Sequence, residues 1–239
     1  MCDKDNAKNL ISINSICTTL EFSGSGIIEF LNNLLISDLS TIDKGKYHYT
    51  AVCNPKGRII ASLWIKIISE EKIYLICPKN MDEQLITFFN MRKFRLKITI
   101  QLSDKAVTIN SEDHSITHLN INIESQKQNV LTETQSFYQL LFAQELPWID
   151  ANNSEKFIPQ HVNLDQHDTI MSFTKGCYPG QEIIARLKYL GKIKKRMQLF
   201  KNKNKDSLLN DVKEFALVSP VIYLDSNNTY YIQAITHKR

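Results

Sequence analysis

The sequence predicts an α+β protein built on antiparallel sheets. Three observations carry this prediction. Residues 27–102 follow the order helix, three strands, helix and strand. The tail from residue 192 contains three further strand-like segments. The glycine-rich dinucleotide and P-loop motifs that accompany doubly wound parallel sheets are absent from the sequence.

The elements of the first half follow from periodicity and turn residues. "SGSGIIEFLNNLLISDL" predicts a turn followed by a helix, because its apolar residues recur at helical spacing. Residues 47–68 predict a β-hairpin around the turn "NPKG". "KIYLIC" predicts a strand that ends at Pro78, "NMDEQLITFFNMRKF" a helix, and "RLKITIQL" a strand.

The second half is less regular. Residues 104–131 are polar and favour β-structure, and "TETQSFYQLLFAQEL" predicts a helix capped by Thr132. Residues 147–168 are expected to form a long surface loop. "GQEIIARLKYL" predicts another helix, and the tail after it is predicted to be all-β.

Composition limits the class of protein. Hydrophobic residues make up 43% of the chain and charged residues 23%, as in soluble globular proteins. No apolar run reaches the roughly 18 residues of a membrane span, and the N-terminus lacks the apolar core of a signal peptide. We therefore expect a cytoplasmic protein without membrane contacts. Five scattered cysteines without zinc-type spacing argue against a disulfide framework and a structural metal site.

The positive charge is local. Between Ile183 and Lys205 there are nine basic residues and no acidic one, whereas the rest of the chain carries 20 basic and 25 acidic residues. Such a run predicts an anionic partner, for example tRNA, at residues 186–205. The alternative is an ordinary solvated surface.

The stretch "FTKGCYPGQEII" (residues 173–184) holds two of only seven glycines and one cysteine. Gly176 is expected to adopt positive φ, and Pro179 suits the first position of the following helix. The helix N-terminus and Lys175 would favour the thiolate form of Cys177. Cys177 could equally be a small buried residue in a tight turn. No histidine has a spacing that fixes a Cys–His pair.

The segment "KGCYPGQE" (residues 175–182) resembles the K-G-C-Y-x-G-Q-E signature of the YgfZ family. "PWIDANNSEKFIPQHVNLD", "EFLNNLLISDL" and "CNPKGRIIASLWI" are similar to further stretches of that family, so the resemblance spans about residues 20–200. These are folate-binding proteins of iron–sulfur cluster assembly and repair, related to the T-protein (aminomethyltransferase) of the glycine cleavage system.

This resemblance implies a T-protein/YgfZ-like fold with two ferredoxin-like antiparallel α+β subdomains and a small C-terminal β-barrel. The expected boundaries are 1–103 for the first, folate-binding subdomain, 104–191 for the second and 192–239 for the barrel. Residues 104–131 and the tail after 200 are shorter than in longer members, so we expect a shortened second subdomain and a truncated barrel.

The resemblance also implies a function. It implies a tetrahydrofolate-dependent accessory protein that supports iron–sulfur enzymes, including enzymes that modify tRNA, with folate, these client enzymes and tRNA as partners. Its implied catalytic residues are Cys177, Lys175 and Tyr178. The residues expected to bind the pterin ring and glutamate tail of the folate are Phe137, Tyr138, Gln181, Glu182 and Arg186. Cluster or sulfur ligation, redox protection and reaction with a one-carbon unit all remain open for Cys177.

Two positions depart from the pattern that the resemblance implies. Ala61 and Ser62 stand where the T-protein carries an acidic residue that orients the folate amine, so aminomethyl transfer is expected to be absent. Cys17 and Phe137 stand where the family often has tryptophans. A one-carbon transferase and a nucleic-acid-binding module remain the alternative functions, and the lack of RNA-binding aromatic motifs weighs against the second.

Overall fold

The computed structural model describes residues 10–110, 116–119 and 130–237. Within them the chain divides into two compact units. The first comprises the residues up to Ile27, Asp43–His48 and Leu63–Leu140, and the second comprises Ile28–Ile42, Tyr49–Ser62 and the residues from Leu141 onward. The expected division at residues 103 and 191 stays a prediction.

The described residues contain twelve strands and five helices. They are β1 (Leu10–Ser12), β2 (Cys17–Ser23), α1 (Ile27–Asn32), β3 (His48–Cys53), β4 (Ile59–Ser69), β5 (Lys72–Pro78), α2 (Asp82–Arg92), β6 (Thr99–Leu102), β7 (Ala106–Asn110), β8 (Ile116–Leu119), α3 (Val130–Ala143), α4 (Gln181–Leu190), β9 (Lys195–Asn202), α5 (Lys205–Val212), β10 (Ala216–Leu217), β11 (Ile222–Leu224) and β12 (Thr229–His237).

The first unit holds the neighbouring strands β4-β5-β2-β6 of a five-stranded antiparallel sheet and the three-stranded antiparallel sheet β1-β7-β8. Strand β2 pairs along its whole length with β5, so that Leu20 lies opposite Leu75. Phe22 on the same strand packs edge-on against Phe89 of α2, with ring centroids 5.2 Å apart, and both rings are fully buried. The hairpin, strands and helix predicted for residues 47–102 are all present.

The second unit contains the turn between β3 and β4. The Asn54 side chain accepts hydrogen bonds from the backbone N–H groups of Lys56 (2.9 Å) and Arg58 (3.0 Å), and Gly57 takes positive φ. Asn and Gly suit these positions, because Asn bonds to its own turn and Gly has no Cβ to clash. The "NPKG" turn is therefore confirmed.

The segment 147–168 is fixed to the start of β4. The N–H of Ile59 donates to the Phe157 carbonyl (2.8 Å), and that of Ser62 donates to the Ile149 carbonyl (3.0 Å). Phe157 and Ile149 are buried. The stretch that was expected to run over the surface therefore supplies core side chains, because its backbone satisfies its polar groups against an edge of β4.

The C-terminal part of the second unit is a four-stranded antiparallel sheet in which β12 pairs with β9, β10 and β11. Among the described residues these strands form an open sheet rather than a closed barrel. The prediction of an all-β tail is wrong at α5, which Asn204 caps by accepting from the Ser207 N–H (2.9 Å). Leu208 and Val212 of α5, four residues apart, pack on Ile232 and Ala234 of β12, and this apolar stripe stabilises the helix.

The helices bear on two further expectations, the cap of α3 and the absence of a membrane-spanning segment. Helix α3 begins at Val130, so Thr132 lies inside it and the predicted cap is wrong. Within the described ranges, no helix has the length and apolar character needed to cross a membrane. The antiparallel α+β class itself is confirmed.

Candidate functional site

The loop before α4 ends in a tight turn at Gly180. The N–H of Gln181 donates to the Tyr178 carbonyl (3.1 Å), and Gly180 has φ 82° and ψ 0°. Proline at the second position and positive φ at the third are the requirements of a type II β-turn. Gly180 is thus the residue that precedes α4, and the predicted placement of Pro179 inside the helix is wrong. Gly176, which can adopt positive φ, does not do so here.

Gly180 and Gly57 bring two turns of the second unit into backbone contact. A Cβ atom on Gly180 would lie 2.5 Å from the Asn54 carbonyl oxygen and 2.5 Å from Gly57 Cα. A Cβ on Gly57 would lie 3.1 Å from Cγ1 of Ile184, which is buried on α4. The "NPKG" and "YPGQ" turns therefore pack directly against each other. Glycine is required in each turn, because a Cβ atom would clash at this contact.

Lys175 anchors the start of the same loop. Its ammonium donates to the main-chain carbonyls of Asn32, the last residue of α1, and of Leu35 (2.5 Å) and Ser37 (2.8 Å), which follow α1. A cation suits this position, because carbonyls at a helix C-terminus lack intrahelical donors. Burial lowers the pKa of the Lys175 ammonium to about 8, and the Asp38 carboxylate opposes this shift. All three protons of the ammonium are used in holding the loop.

Cys177 lies between these two anchor points and is exposed to solvent. The remaining cysteines in the described ranges, Cys17, Cys53 and Cys77, are buried. Burial raises the pKa of each of these three thiols, and the neighbouring Cys77 thiol raises that of Cys17 further. The interpretation of Cys177 as a small buried packing residue is therefore wrong, and its role as a reactive thiol stays a prediction.

Alkylation of the native protein checks this difference directly. In a Cys2→Ser variant, iodoacetamide is expected to modify Cys177 at least about tenfold faster than Cys17, Cys53 or Cys77, because the buried thiols react only after local opening. Peptide mapping by mass spectrometry at several times measures the four rates. Modification of Cys53 as fast as of Cys177 would contradict the burial described.

Tyr178 packs against the Lys175 anchor. The Lys175 ammonium lies 5.0 Å from the centroid of the Tyr178 ring, within cation–π range. The ring is buried, and burial raises the pKa of the phenol, with a further contribution from the Cys53 thiol. The buried hydroxyl has no hydrogen-bond partner among the described residues. The side chain therefore supports the loop chiefly through its ring.

Replacing Tyr178 with phenylalanine is accordingly expected to change the free energy of unfolding by less than about 0.5 kcal/mol, since no hydrogen bond is lost. Tyr49→Phe is the matched control. The buried Tyr49 hydroxyl lies 2.5 Å from Ser62 Oγ and donates to the Pro147 carbonyl at 2.7 Å. Removal of this hydroxyl should therefore lower the free energy of unfolding by about 1–3 kcal/mol. Urea unfolding of both variants measures the difference. Equal losses would show that the Tyr178 hydroxyl is bonded in the folded protein.

Five further residues, Phe137, Tyr138, Gln181, Glu182 and Arg186, are predicted site residues. Gln181 donates weakly to the Lys175 carbonyl (3.4 Å). Glu182 and Arg186 pair with each other (3.4 Å) on the exposed face of α4, where an ion pair contributes little. Phe137 and Tyr138 belong to the first unit, where Phe137 is fully buried and packs edge-on against Trp64 with centroids 6.0 Å apart. Their roles in cofactor binding stay predictions.

Gln160 and Asp165 support α4 and β9, a role that sequence reasoning missed. The fully buried Gln160 donates through Nε2 to the Ile184 carbonyl (2.7 Å). Asp165 forms a two-pronged ion pair with Arg196, which also donates to the Gln160 carbonyl. Arg196 of the basic run therefore forms a largely buried ion pair with Asp165 and is not available to bind an anionic partner. In the sequence, this supporting role is indicated only by the polar residues Gln160 and Asp165 within the segment "FIPQHVNLD".

The position where the resemblance placed an acidic residue is closed. Ala61 and Ser62 are both fully buried. The Ser62 hydroxyl lies 2.5 Å from the Tyr49 hydroxyl and accepts from the N–H of Ile149 (3.0 Å). It therefore has a structural role in joining β4 to the segment around Ile149.

The described residues include neither a metal-binding cluster nor a histidine that is hydrogen-bonded to Cys177. No group of three or more His, Cys, Asp or Glu side chains in these ranges is arranged to hold a metal ion. His161, one of two histidines shortly upstream of the motif, has its pKa lowered by burial and by Lys195, Arg58 and Arg196. It lines a cleft with two of these cations, Lys195 and Arg58.

Comparison with known proteins places the chain. No family model matches it. It is 30% identical over 220 aligned positions to the tRNA-modifying protein YgfZ of Blochmanniella pennsylvanica, and 25% identical to that of Sodalis glossinidius. Each alignment covers 73% of this chain and 66% of the relative, so the chain spans just under two thirds of these relatives. The aminomethyltransferase T of the Bartonella henselae glycine cleavage system has a similar fold, with a TM-score of 0.62 over 95% of this chain and 78% of that one, at 10% identity. The chain belongs to the YgfZ family.

Proposed function

We propose that this protein is a folate-dependent accessory protein of iron–sulfur cluster assembly or repair, and that Cys177 is its working thiol. One observation carries the proposal. Cys177 is exposed, while the loop that presents it is held at Lys175 by three carbonyls and at Gly180 by contact with Gly57. A reactive group that is accessible and rigidly supported is what a functional site requires.

Transient ligation of a cluster or of sulfur suits this arrangement best among the roles considered. Such ligation needs a thiol that a client protein can reach at the surface, and thiolates are preferred ligands of iron–sulfur clusters. The clients proposed are iron–sulfur enzymes that modify tRNA. Support for this choice comes from the relatives, which are named tRNA-modifying proteins.

The folate part of the proposal rests on the family and on the fold shared with an aminomethyltransferase. The residues assigned to folate from sequence do not fit it as they stand. Phe137 has no exposed surface for stacking on a pterin, and Glu182 and Arg186 are engaged with each other. The buried, neutral Ser62 position also favours a protein that does not catalyse aminomethyl transfer.

Titration with tetrahydrofolate tests the cofactor proposal. Because a ligand that binds only the folded state stabilises it, the melting temperature should rise with the logarithm of the tetrahydrofolate concentration above the dissociation constant. p-Aminobenzoylglutamate, which lacks the pterin, is the control and should shift the melting temperature less. Phe137→Ala, compared with its own unliganded melting temperature, tests the assigned aromatic residue. An unchanged melting temperature for the wild type would remove folate from the proposal.

A further inference from the structure

A cleft of about 380 Å³ lies in the second unit, apart from the residues assigned to the thiol loop. This volume is within the range of small-ligand sites. Its walls come from the start of β4, the segment 156–161, the start of β9, the residues after α5 and the end of β12. The side chains that line it include Arg58, Lys156, His161, Lys195, Glu214 and Phe215.

The charge of this cleft is strongly asymmetric. Three cations, Arg58, Lys156 and Lys195, face a single carboxylate, Glu214. None of these four groups forms an ion pair within the described ranges. With histidines neutral, the lining carries a net charge of +2. Unpaired cations that converge on one concave surface attract anions and concentrate them there.

The hydrogen-bond donors of the cleft are partly preorganised. Arg58 donates through Nη1 to the carbonyls of Glu155 (3.3 Å) and Lys156 (2.9 Å), which orients its guanidinium. Its Nε and Nη2 have no partner in the part of the chain that the structure describes. Lys195 likewise has none there, and Lys156 donates only to the Asn152 carbonyl (2.7 Å). Donors thus remain free for a ligand.

We propose that this cleft binds the phosphate group of a nucleotide, either a free nucleotide or a unit of an RNA strand. A lining charge of +2 matches the phosphate dianion of a nucleoside monophosphate and also attracts the singly charged phosphodiester of an RNA strand, whereas one arginine would suffice for a carboxylate. Phe215, which is half-buried, offers an aromatic wall for the attached base. Within the basic run, Arg186 and Arg196 are paired with acidic residues, whereas Lys195 lines the cleft and is available to bind a phosphate.

The proposal is independent of Cys177 and of folate, and its test uses the whole chain. Isothermal titration is done with adenosine 5′-monophosphate, with adenosine, and with an eight-nucleotide single-stranded RNA. Lys156→Ala/Lys195→Ala removes two cleft charges. Lys201→Ala/Lys203→Ala is the matched control, because it removes two exposed charges of the same basic run that do not line the cleft. Arg58→Gln removes the guanidinium fork.

We expect the cleft double variant to weaken binding of the monophosphate about tenfold or more, and the control to weaken it less than twofold. Adenosine should bind at least about tenfold more weakly than its monophosphate. Bound phosphate should also raise the pKa of His161, as followed by NMR, because an anion stabilises the imidazolium. Tighter binding of the RNA that responds to the same variants identifies RNA as the source, and no RNA binding identifies a free nucleotide. Equal effects of both double variants on every probe, or no binding of either phosphate probe, would overturn the proposal.

Discussion

Replacing Gly180 with alanine is expected to lower the free energy of unfolding by about 3 kcal/mol or more and to abolish the function that depends on Cys177. An L-residue at φ 82° costs about 1–2 kcal/mol. The new Cβ would also meet the Asn54 carbonyl and Gly57 at 2.5 Å, and these are backbone atoms of another turn that cannot simply rotate away. The two turns must therefore separate, and the loop that carries Cys177 loses one of its two supports.

Gly176→Ala is the matched control for this experiment. It makes the same chemical change four residues earlier, where φ is not positive and where a Cβ would have no atom within 4 Å. We expect its free energy of unfolding to stay within about 0.5 kcal/mol of that of the wild type. Urea unfolding of both variants gives the comparison. Similar losses in the two variants would contradict the contact between Gly180 and Gly57.

Replacing Lys175 with methionine is expected to cost about 2–4 kcal/mol, because three main-chain carbonyls lose a charged donor. Methionine keeps the length and apolar part of the side chain, so packing against Tyr178 changes little. Lys192→Met, at an exposed position, is the control and should be nearly neutral. A Lys175→Met variant as stable as the wild type would show that the carbonyls find other donors.

The same variant has a distinct pH signature. The pKa of Lys175 is about 8 in the folded protein against 10.5 for an ordinary lysine. Between these values the unfolded chain binds more protons at this residue than the folded protein does, so its contribution to the free energy of unfolding rises with pH. Below about pH 8 both states are protonated and the contribution is flat. The difference between wild type and Lys175→Met should therefore grow from pH 8 to 10.5. A difference that is constant over this range would contradict the burial of the ammonium.

Much of the fold could be predicted because its signals are local. The hairpin around "NPKG" and the helix on "QEIIARLKYL" follow from turn residues and periodicity, which depend on neighbours in sequence. Helix α5 was missed because it has only two buried residues, Leu208 and Val212, and its stability comes from packing on β12. The burial of the segment around Phe157 could not be predicted from local patterns, because its partner, the edge of β4, lies about 100 residues earlier in the chain.

The site was predictable to a similar, limited degree. The motif at residues 175–182 identified Cys177, and its exposure agrees with the role given to it. The function of Lys175 as an anchor was not predictable, because its three acceptors lie at and after the end of α1, some 140 residues away. For the same reason no local pattern linked Gly180 to Gly57 or Asp165 to Arg196. The cleft around Arg58 was likewise not predictable from local sequence patterns, because its three cations come from three separate segments.

The most direct test of the central claim is the activity of Cys177→Ser in cells that lack their own YgfZ protein, with tRNA modification by an iron–sulfur enzyme as the readout. Serine keeps the size and exposure of the side chain, so the melting temperature should stay close to that of the wild type. We predict that tRNA modification falls at least about tenfold in Cys177→Ser, because a cysteine thiolate can ligate metals and attack electrophiles whereas a serine hydroxyl stays protonated, and that it stays normal in a Cys2→Ser control. Full tRNA modification by a folded Cys177→Ser protein would contradict the claim that Cys177 is the working thiol.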